Sequence, residues 1–501
     1  MNSLFDLTTI AAFSLSFTLF AVIRQWLTRK ILPLPPGPSG NLIFGTSIPS
    51  SFPYRHFEKL TQEYGPMISF RQGLTTVVVI GRLDAATDVM EKQGALTADR
   101  PRSITAGEIL SGGMRTLFTP FGDRFKRMRR ALHTHLQPKL LTAYAPVQMR
   151  NAKQLVFDIV DDPKNFQHHS TRYSASILMS IAYGMKIRSY DDPEVLAIRR
   201  CLSRLAANFR PGHWKVEDFP FLRYIPGYLK ELYEGHLDEL TLFKNLFGSV
   251  REQLRNDVET PHSFAKYLLE SQDSLPFSEN EAAYLAGTMY GAGTDTTSSM
   301  INVCIMAAAA YPELQQWVWE ELEQNIGKDK PPTMSDQESL PRTMAWVLEA
   351  FRWRPVTAGG FAHKASKDII SNGYLIPKGA SVYGNIWSVN RDPTYFPDPE
   401  IFNPKRWINV EGRLRSDLRA YSFGFGRRVC PGQHVATSSV FIATALLLWA
   451  FDISSTRGAP IDVWGFTDGA NAHPLPFSAT FKPRFSPTLE AVKSLFDEYD
   501  A

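Results

Sequence analysis

Cysteine is scarce: Cys201, Cys304 and Cys430 are the only three in 501 residues. So few in so long a chain do not make a disulfide framework. No Asn-x-Ser/Thr triplet occurs, so nothing points to a glycosylated lumenal body, and the bulk of the chain is expected in a reducing compartment. An excess of one charge is missing too. Lys and Arg total 54 against 50 Asp and Glu, a net of +4, which by itself argues for no nucleic-acid partner. Internal repeats and low-complexity segments are absent. What remains, 44% hydrophobic and 21% charged, is the make-up of a globular protein with a sizeable core.

The chain begins with an almost uncharged apolar run, Leu7 to Ile23, which with its flanks approaches the ~20 residues that span a bilayer. Asp6 precedes it; Arg24, Arg29 and Lys30 follow, with Trp26 at interface depth. That asymmetry places the body on the cytoplasmic side. A cleaved signal peptide would need a positive start and a small-residue cleavage site, and neither is present. Residues 1–30 are therefore expected to form a single-pass transmembrane anchor. Residues 31–50, with Leu32-Pro33-Leu34-Pro35-Pro36-Gly37-Pro38, read as a stiff proline-rich hinge. Residues 51–501 form the body.

Within the body, Met67 to Arg71 and Thr75 to Ile80 read as strands, rich in β-branched and aromatic residues. Beyond them helical patterns dominate, so the expected class is mainly α with minor β. Phe121 to Leu136 is a basic amphipathic stretch carrying Arg124, Lys126, Arg127, Arg129 and Arg130. Such a face is most simply a solvated one, but it can also present a basic patch to an acidic partner. Phe209 to Gly227, rich in proline and aromatics, is expected as a lid or a membrane-facing segment.

Ser278-Glu279-Asn280-Glu281 has the form of a capping box. The helix it opens is expected to reach about Ala310, before Tyr311-Pro312. Its middle, Gly291-Ala292-Gly293-Thr294-Asp295-Thr296-Thr297-Ser298, is a poor buried helix, since each glycine costs roughly 1 kcal/mol against alanine. Either something approaches the backbone there, or helices kink or pack closely. Pro341 to Trp353 reads as a second helix, on which Glu349 and Arg352 share a face.

Phe423-Gly424-Phe425-Gly426-Arg427-Arg428-Val429-Cys430-Pro431-Gly432 puts one sulfur in a glycine-rich loop beside arginines. Gly426 and Gly432 let the backbone turn and approach a flat partner. Arginines and the amides of a following helix favour a thiolate. Such a sulfur could be a nucleophile, a metal ligand, a haem ligand or an inert thiol in a tight turn.

The spacing Phe423-x-x-Gly426-x-Arg428-x-Cys430-x-Gly432 resembles the haem-binding loop of the cytochrome P450 family, most closely its fungal members. Three further motifs agree in order: Ala292-Gly293-Thr294-Asp295-Thr296-Thr297, Glu349-x-x-Arg352, and Pro404-x-Arg406. The resemblance runs from about Pro33 to the C-terminus. It implies the cytochrome P450 fold, with haem b (iron protoporphyrin IX) between a long distal helix and the proximal cysteine loop, and Cys430 as axial iron ligand. Thr296 would hydrogen-bond the activated oxygen, Gly293 would make room for it, and Asp295 would relay protons. Arg428, Arg129 and His363 would meet the haem propionates. Phe125 stands where the family carries a tryptophan, so one propionate bond is expected to be missing or supplied elsewhere. Glu349, Arg352 and Arg406 would form a structural charge network. Tyr290, Ala292, Val356, Thr357 and Phe361 would line the substrate pocket, with the chain between Arg102 and Met114 and a turn near Phe466 to Ala472.

The implied activity is monooxygenation of a lipophilic small molecule, with hydroxylation in secondary-metabolite, terpenoid-type biosynthesis as the expected setting. No flavin or nicotinamide segment follows the cysteine loop. Electrons are thus expected from NADPH through a separate NADPH–cytochrome P450 reductase docking near Arg124, Lys126, Arg127 and Arg130, with cytochrome b5 as an additional donor, at the endoplasmic reticulum membrane. A haem-thiolate isomerase or dehydratase, which needs no reductase, is the alternative; the Asp295-Thr296 pair argues against it.

Overall fold

The computed structural model describes residues 32–41, 45–73, 75–209, 212–256, 258–485 and 489–500. The anchor read from residues 1–30 lies outside them. Among the described residues one helix, Gln433–Ala450, is long and apolar enough to cross a membrane, and it is mostly buried inside the body.

The longer helices are α1 (Pro53–Tyr64), α2 (Asp123–Leu136), α3 (Leu141–Asp161), α4 (Phe166–Tyr183), α5 (Pro193–Asn208), α6 (Lys230–Arg255), α7 (Glu279–Ala310), α8 (Pro312–Asn325), α9 (Pro341–Trp353) and α10 (Gln433–Ala450). The strands are short: β1 (Met67–Gln72), β2 (Thr75–Ile80), β3 (His363–Lys364), β4 (Ile369–Ser371), β5 (Tyr374–Ile376), β6 (Ser381–Gly384), β7 (Phe451–Ser455) and β8 (Ala479–Pro483). They form a four-stranded sheet in the order β1-β2-β6-β3 and two two-stranded antiparallel sheets, β4-β5 and β7-β8. The fold is mainly α with minor β.

The β1-β2 pair is antiparallel, with Met67 opposite Ile80. β2 then pairs with β6 in parallel, joining the chain before α2 to the chain after α9. The proline-rich stretch is docked on β1 of this sheet and on β5 of the β4-β5 pair. Pro36 O accepts from Ser69 N at 2.9 Å, and Pro33 O from Leu375 N at 2.9 Å. A Cβ on Gly37 would sit 2.0 Å from Ser69 O, so only glycine allows that approach. Proline suits such an edge because it has no N–H to leave unpaired.

Helix α7 is the axis. Ser278 caps it, its Oγ accepting from Glu281 N at 3.3 Å while Glu281 Oε2 accepts from Ser278 N at 3.0 Å. At 32 residues it is about 48 Å long, and α4, α6 and α10 pack against it. Burial is nearly continuous from Thr297 to Ala309, which fits a helix surrounded on all sides rather than one with a wet face.

One buried histidine in this core has no polar partner. His135 of α2 is 2% exposed. Both its ring nitrogens lack hydrogen bonds, and its ring stacks on His262 at 5.1 Å beside Phe264 and Tyr267. Burial, with His262 adding to it, lowers its pKa from 6.5 to about 4. Below pH 6.5 the unfolded chain takes a proton that folded His135 refuses, so stability is full above that pH and is lost as pH falls toward 4. Urea unfolding of the wild type is expected to show that decline. His135→Phe should make the profile flatter between pH 6.5 and 4; an unaltered slope would show that His135 is not the group responsible.

Candidate functional site

Cys430 sits between the short 3-10 turn Gly426–Arg428 and the start of α10. Its N–H donates to Phe423 O at 2.8 Å, closing the loop. Gly424 and Gly426 take φ of 80° and 50°, a region that strains any residue with a side chain. The room at Gly426 serves packing, not a flat partner. A Cβ there would lie 2.4 Å from Met90 O, and Gly426 N donates to Glu91 Oε1 at 2.9 Å. At Gly432 a Cβ would lie 3.9 Å from the sulfur itself. Phe423 packs on Phe351 of α9 at 4.9 Å.

The loop is anchored to a carboxylate buried some distance behind it. Glu349 is wholly buried and accepts five hydrogen bonds, from Arg352 Nε and Nη2, Arg406 Nε, Asn403 N and Trp407 Nε1, at 2.7–3.1 Å. Arg352 Nη1 reaches Asn390 O at 3.0 Å. Asn390 in turn receives Tyr421 N at 2.9 Å and donates to Ser422 Oγ at 3.2 Å. Ser422 donates to Phe351 O at 2.8 Å. The chain of contacts thus runs from Glu349 to the residue before Phe423. Trp407, not foreseen as a member, completes the set.

Cys430 lines a cavity of about 750 Å³. Burial raises its pKa, against the lowering effects of the Gly432 and Gln433 amides and of Arg129. This departs from the expectation that the loop by itself favours a thiolate: desolvation outweighs two N–H groups and one guanidinium. An activated nucleophile needs the opposite balance. A sulfur held like this suits a metal ligand, because a bound cation supplies the missing positive charge.

Five arginines line the same cavity, and three of them, Arg100, Arg129 and Arg428, lie close enough to act on one another's charge. Arg428 donates to Ala98 O at 2.6 Å and Thr119 O at 2.8 Å, and its guanidinium lies 3.6 Å from the Phe125 ring centroid. Arg100 donates to Phe361 O at 3.0 Å and Ala362 O at 2.6 Å. Burial and the nearby Arg428 lower Arg100 to about 9. Burial lowers Arg428 to about 10, with Asp99 opposing and Arg129 assisting. None of the three is ion-paired to a carboxylate among the described residues. Like charges gathered without a counter-ion fit a ligand that brings two carboxylates. With the thiol on the same cavity, the donor set fits haem.

His363 is placed differently from expectation. Its Nδ1 lies 2.6 Å from Thr97 O. A carbonyl only accepts, so Nδ1 carries the proton and Nε2 of the neutral ring is an acceptor. Burial, reinforced by Arg100, holds His363 well below its ordinary pKa. Arg100, on the same cavity wall, has guanidinium N–H groups and could take the donor role read for it.

The opposite wall is α7. Leu285, Met289, Ala292 and Thr296 line the cavity. They lie within about 60° of one another round a helix of 3.6 residues per turn. Thr296 Oγ1 donates to Ala292 O at 2.8 Å. Tyr290, six residues before Thr296, is about 120° away. It faces Tyr183 and does not line the cavity, correcting the pocket assignment. Gly293 borders the cavity, yet a Cβ there would meet Leu178 at 2.6 Å, and one at Gly291 would meet Ile198 at 2.9 Å. Their missing side chains therefore make room for α4 and α5, not for a ligand.

Val356, Thr357 and Phe361 line the cavity, as do Thr467 to Asn471 of the stretch from Phe466 to Ala472, with His473 and Pro474 beyond it. The chain between Arg102 and Met114 does not: the lining begins at Arg115 and includes Phe118. Ile104, Ile109 and Leu110 pack instead with Val216, Leu229 and Leu232. Phe209 was missed; it touches Phe118 and Phe361.

A family model described as Cytochrome P450 matches residues 35–480. The chain is 49% identical over 478 residues to Cytochrome P450 monooxygenase 64 of Postia placenta, covering 95% of this chain and 96% of that protein. It is 48% identical to monooxygenase 113 of the same fungus, over 96% and 98%. To the Armillaria gallica cytochrome P450 monooxygenase ARMGADRAFT_1018420 it is 36% identical, over 90% of each chain.

Glu349→Ala is expected to cost about 3–5 kcal/mol, because it leaves Arg352 and Arg406 buried without their counter-ion. The loss should appear in urea unfolding; a change under 1 kcal/mol would remove the network from its structural role. Arg100→Ala should weaken haem retention by about 1.5–3 kcal/mol, the worth of a hydrogen bond to a charged group. Haem transfer to apomyoglobin measures this, and His363→Ala should have the smaller effect.

Proposed function

The chain belongs to the cytochrome P450 family, and we propose that this haem-thiolate monooxygenase hydroxylates a lipophilic small molecule in secondary metabolism, a terpenoid being the substrate class that suits it best. The observation that carries the reading is one cavity bordered by the Cys430 thiol, the clustered guanidiniums of Arg100, Arg129 and Arg428, and the Asp295-Thr296 pair. Haem bound there supplies dioxygen activation and transfer of one oxygen atom.

The protein's own residues do the rest. Arg100, Arg129 and Arg428 hold the propionates, and Cys430 ligates the iron. Thr296 at rest donates to Ala292 O; rotation of its hydroxyl turns that proton toward an acceptor in the cavity. Asp295 stands beside it as the acid that follows. Phe118, Phe209, Phe361, Met289 and Val356 give the cavity an apolar wall, which binds a hydrocarbon skeleton and excludes water from the reacting position.

Electrons come from NADPH through a separate reductase in this proposal. Arg130 is exposed on α2 and available to an acidic partner, and Lys126, also exposed, is shared with Asp123 at 3.1 Å. Arg124 is engaged with Glu281 at 2.8 Å, so it contributes less than expected. Membrane association is supported by Phe221 and Tyr224, 66% and 80% exposed beside Phe219 and Ile225. Apolar side chains grouped like this on a surface mark a contact with lipid or protein. The endoplasmic reticulum, with the body facing the cytoplasm, is the proposed location.

Reduction under carbon monoxide tests the ligand: the wild type should show the absorbance band of a thiolate-ligated haem, and Cys430→Ser should lose both band and product. Thr296→Ala should keep the band while product per NADPH falls roughly tenfold, less than the ~100-fold of a full general acid because water partly substitutes. Unchanged coupling would exclude Thr296 from proton handling.

A further inference from the structure

Asp295 is held by a part of the chain far from it in sequence. The turn between Phe466 and Pro474 is closed by a bridge between those two residues, with Thr467 N donating to His473 O at 2.8 Å and His473 N to Thr467 Oγ1 at 3.0 Å. Ala472 N donates to Val356 O at 2.7 Å, fixing the turn to the chain that follows α9. From this frame two side chains reach α7. Asn471 Nδ2 donates to Asp295 Oδ2 at 2.8 Å. His473 Nε2 lies 3.4 Å from the same oxygen. Across the imidazole, His473 Nδ1 is 2.5 Å from Ser299 Oγ.

We infer that His473 and Asn471 position the Asp295 carboxylate, and that His473 passes it protons, making the C-terminal turn part of the proton supply to Thr296. The partner on Nδ1 supports this. A hydroxyl can donate to a neutral ring nitrogen or, after rotation, accept from a protonated one. Ser299 therefore accommodates both charge states of His473, whereas the carbonyl of Thr97 accommodates only a protonated Nδ1 at His363. In the neutral ring Ser299 donates to Nδ1, which places the remaining proton on Nε2, facing Asp295. Ser299 is 2% exposed, so water does not compete for that bond.

The transfer balances without any redox partner. A proton leaves Asp295 toward the Thr296 side of the cavity. The Nε2 proton of imidazolium His473 moves to Asp295 Oδ2, leaving a transient neutral ring whose Nδ1–H donates to Ser299 Oγ, and a solvent proton taken up at Nε2 restores the imidazolium. The net result is one proton carried from solvent to the cavity. His473 is partly exposed and Asp295 less so, as an outward-to-inward order requires. Asn471 Oδ1 also accepts from Thr357 Oγ1 at 3.4 Å, so the same amide ties Asp295 to a residue of the substrate wall.

The inference rests on the monooxygenase reading, and two measurements on the haem-loaded protein keep the two apart. In the first, 15N-histidine spectra of the diamagnetic reduced carbon monoxide complex are compared with those of His473→Gln to identify the His473 signals. They should show a protonated Nε2 and an acceptor Nδ1. Ser299→Ala should shift the ring toward a mixture of tautomers, and Asp295→Asn should move the Nε2 signal. A ring protonated on Nδ1, or indifferent to both substitutions, overturns the inference whatever the enzyme's activity. In the second, His473→Gln keeps hydrogen-bonding groups but carries no titratable proton. Product per NADPH should fall roughly ten- to a hundredfold, the range seen when a group that orients a functional residue is removed. KM and the carbon monoxide band should stay as in the wild type, with the missing electrons recovered as hydrogen peroxide. Unchanged coupling overturns the relay. If wild-type protein binds haem but yields no NADPH-dependent product, the monooxygenase reading fails, and the spectra still decide the His473–Asp295 contact.

Discussion

Five hydrogen bonds on one carboxylate hold the proximal side of this molecule together. Glu349 sits on α9, and its donors come from α9 itself, from Asn403, and from the turn that carries Arg406 and Trp407. Two oxygens offer about four lone-pair directions, so the group is saturated. Saturation matters because a buried charge is tolerated only when fully paired and hydrogen-bonded. The arrangement fixes more than its members. Through Arg352 and Asn390 it reaches Tyr421 and Ser422, and so sets where the loop to Cys430 begins. Gly426 then seats that loop against Met90 and Glu91. A sulfur positioned from two directions keeps its place even though its immediate surroundings disfavour its charged form.

The guanidiniums on the cavity follow the opposite logic. Glu349 has donors in surplus, while Arg100 and Arg428 have only carbonyls and an aromatic face. Carbonyl dipoles solvate a cation without neutralising it, so burial and mutual repulsion push both pKa values down. The fold keeps one charge cluster closed for architecture and leaves another open for a dianionic ligand. Burial first, and then the charges of Arg100 and Arg428, keep His363 neutral.

What could be read from the sequence was what lies close together along it. The Ser278–Glu281 cap, the shared face of Glu349 and Arg352 and the turn of the Cys430 loop all depend on spacings of a few residues, and the structure contains each of them. Arg100, Trp407, Asn471 and His473 depend on partners tens or hundreds of residues away, and their immediate neighbours carry no trace of it. Tyr290 shows a different failure. It is near Thr296 in sequence, but only the helical angle says which way it points, and that same angle selects Leu285 and Met289 for the cavity instead. The stretch from Arg102 to Met114 is near the cavity in sequence as well. Its apolar residues found a satellite core with Val216, Leu229 and Leu232 before they could reach the cavity.

The odd composition of α7 near its middle is resolved by taking its faces one at a time. Gly291 and Gly293 belong to the face against Ile198 and Leu178, where a methyl group would overlap a neighbouring side chain. Ala292 and Thr296 belong to the cavity face. Asp295 and Ser299, four apart and so one above the other, belong to the face covered by the C-terminal turn. Each face alone is an ordinary solution to a packing or hydrogen-bonding requirement. Together they produce a run that no single requirement explains, and one that costs intrinsic helix stability at both glycines. That cost is acceptable because the helix is held by tertiary contacts along nearly its whole length rather than by its own propensity. The burial that makes α7 insensitive to poor local propensity is what leaves its centre free to carry polar chemistry.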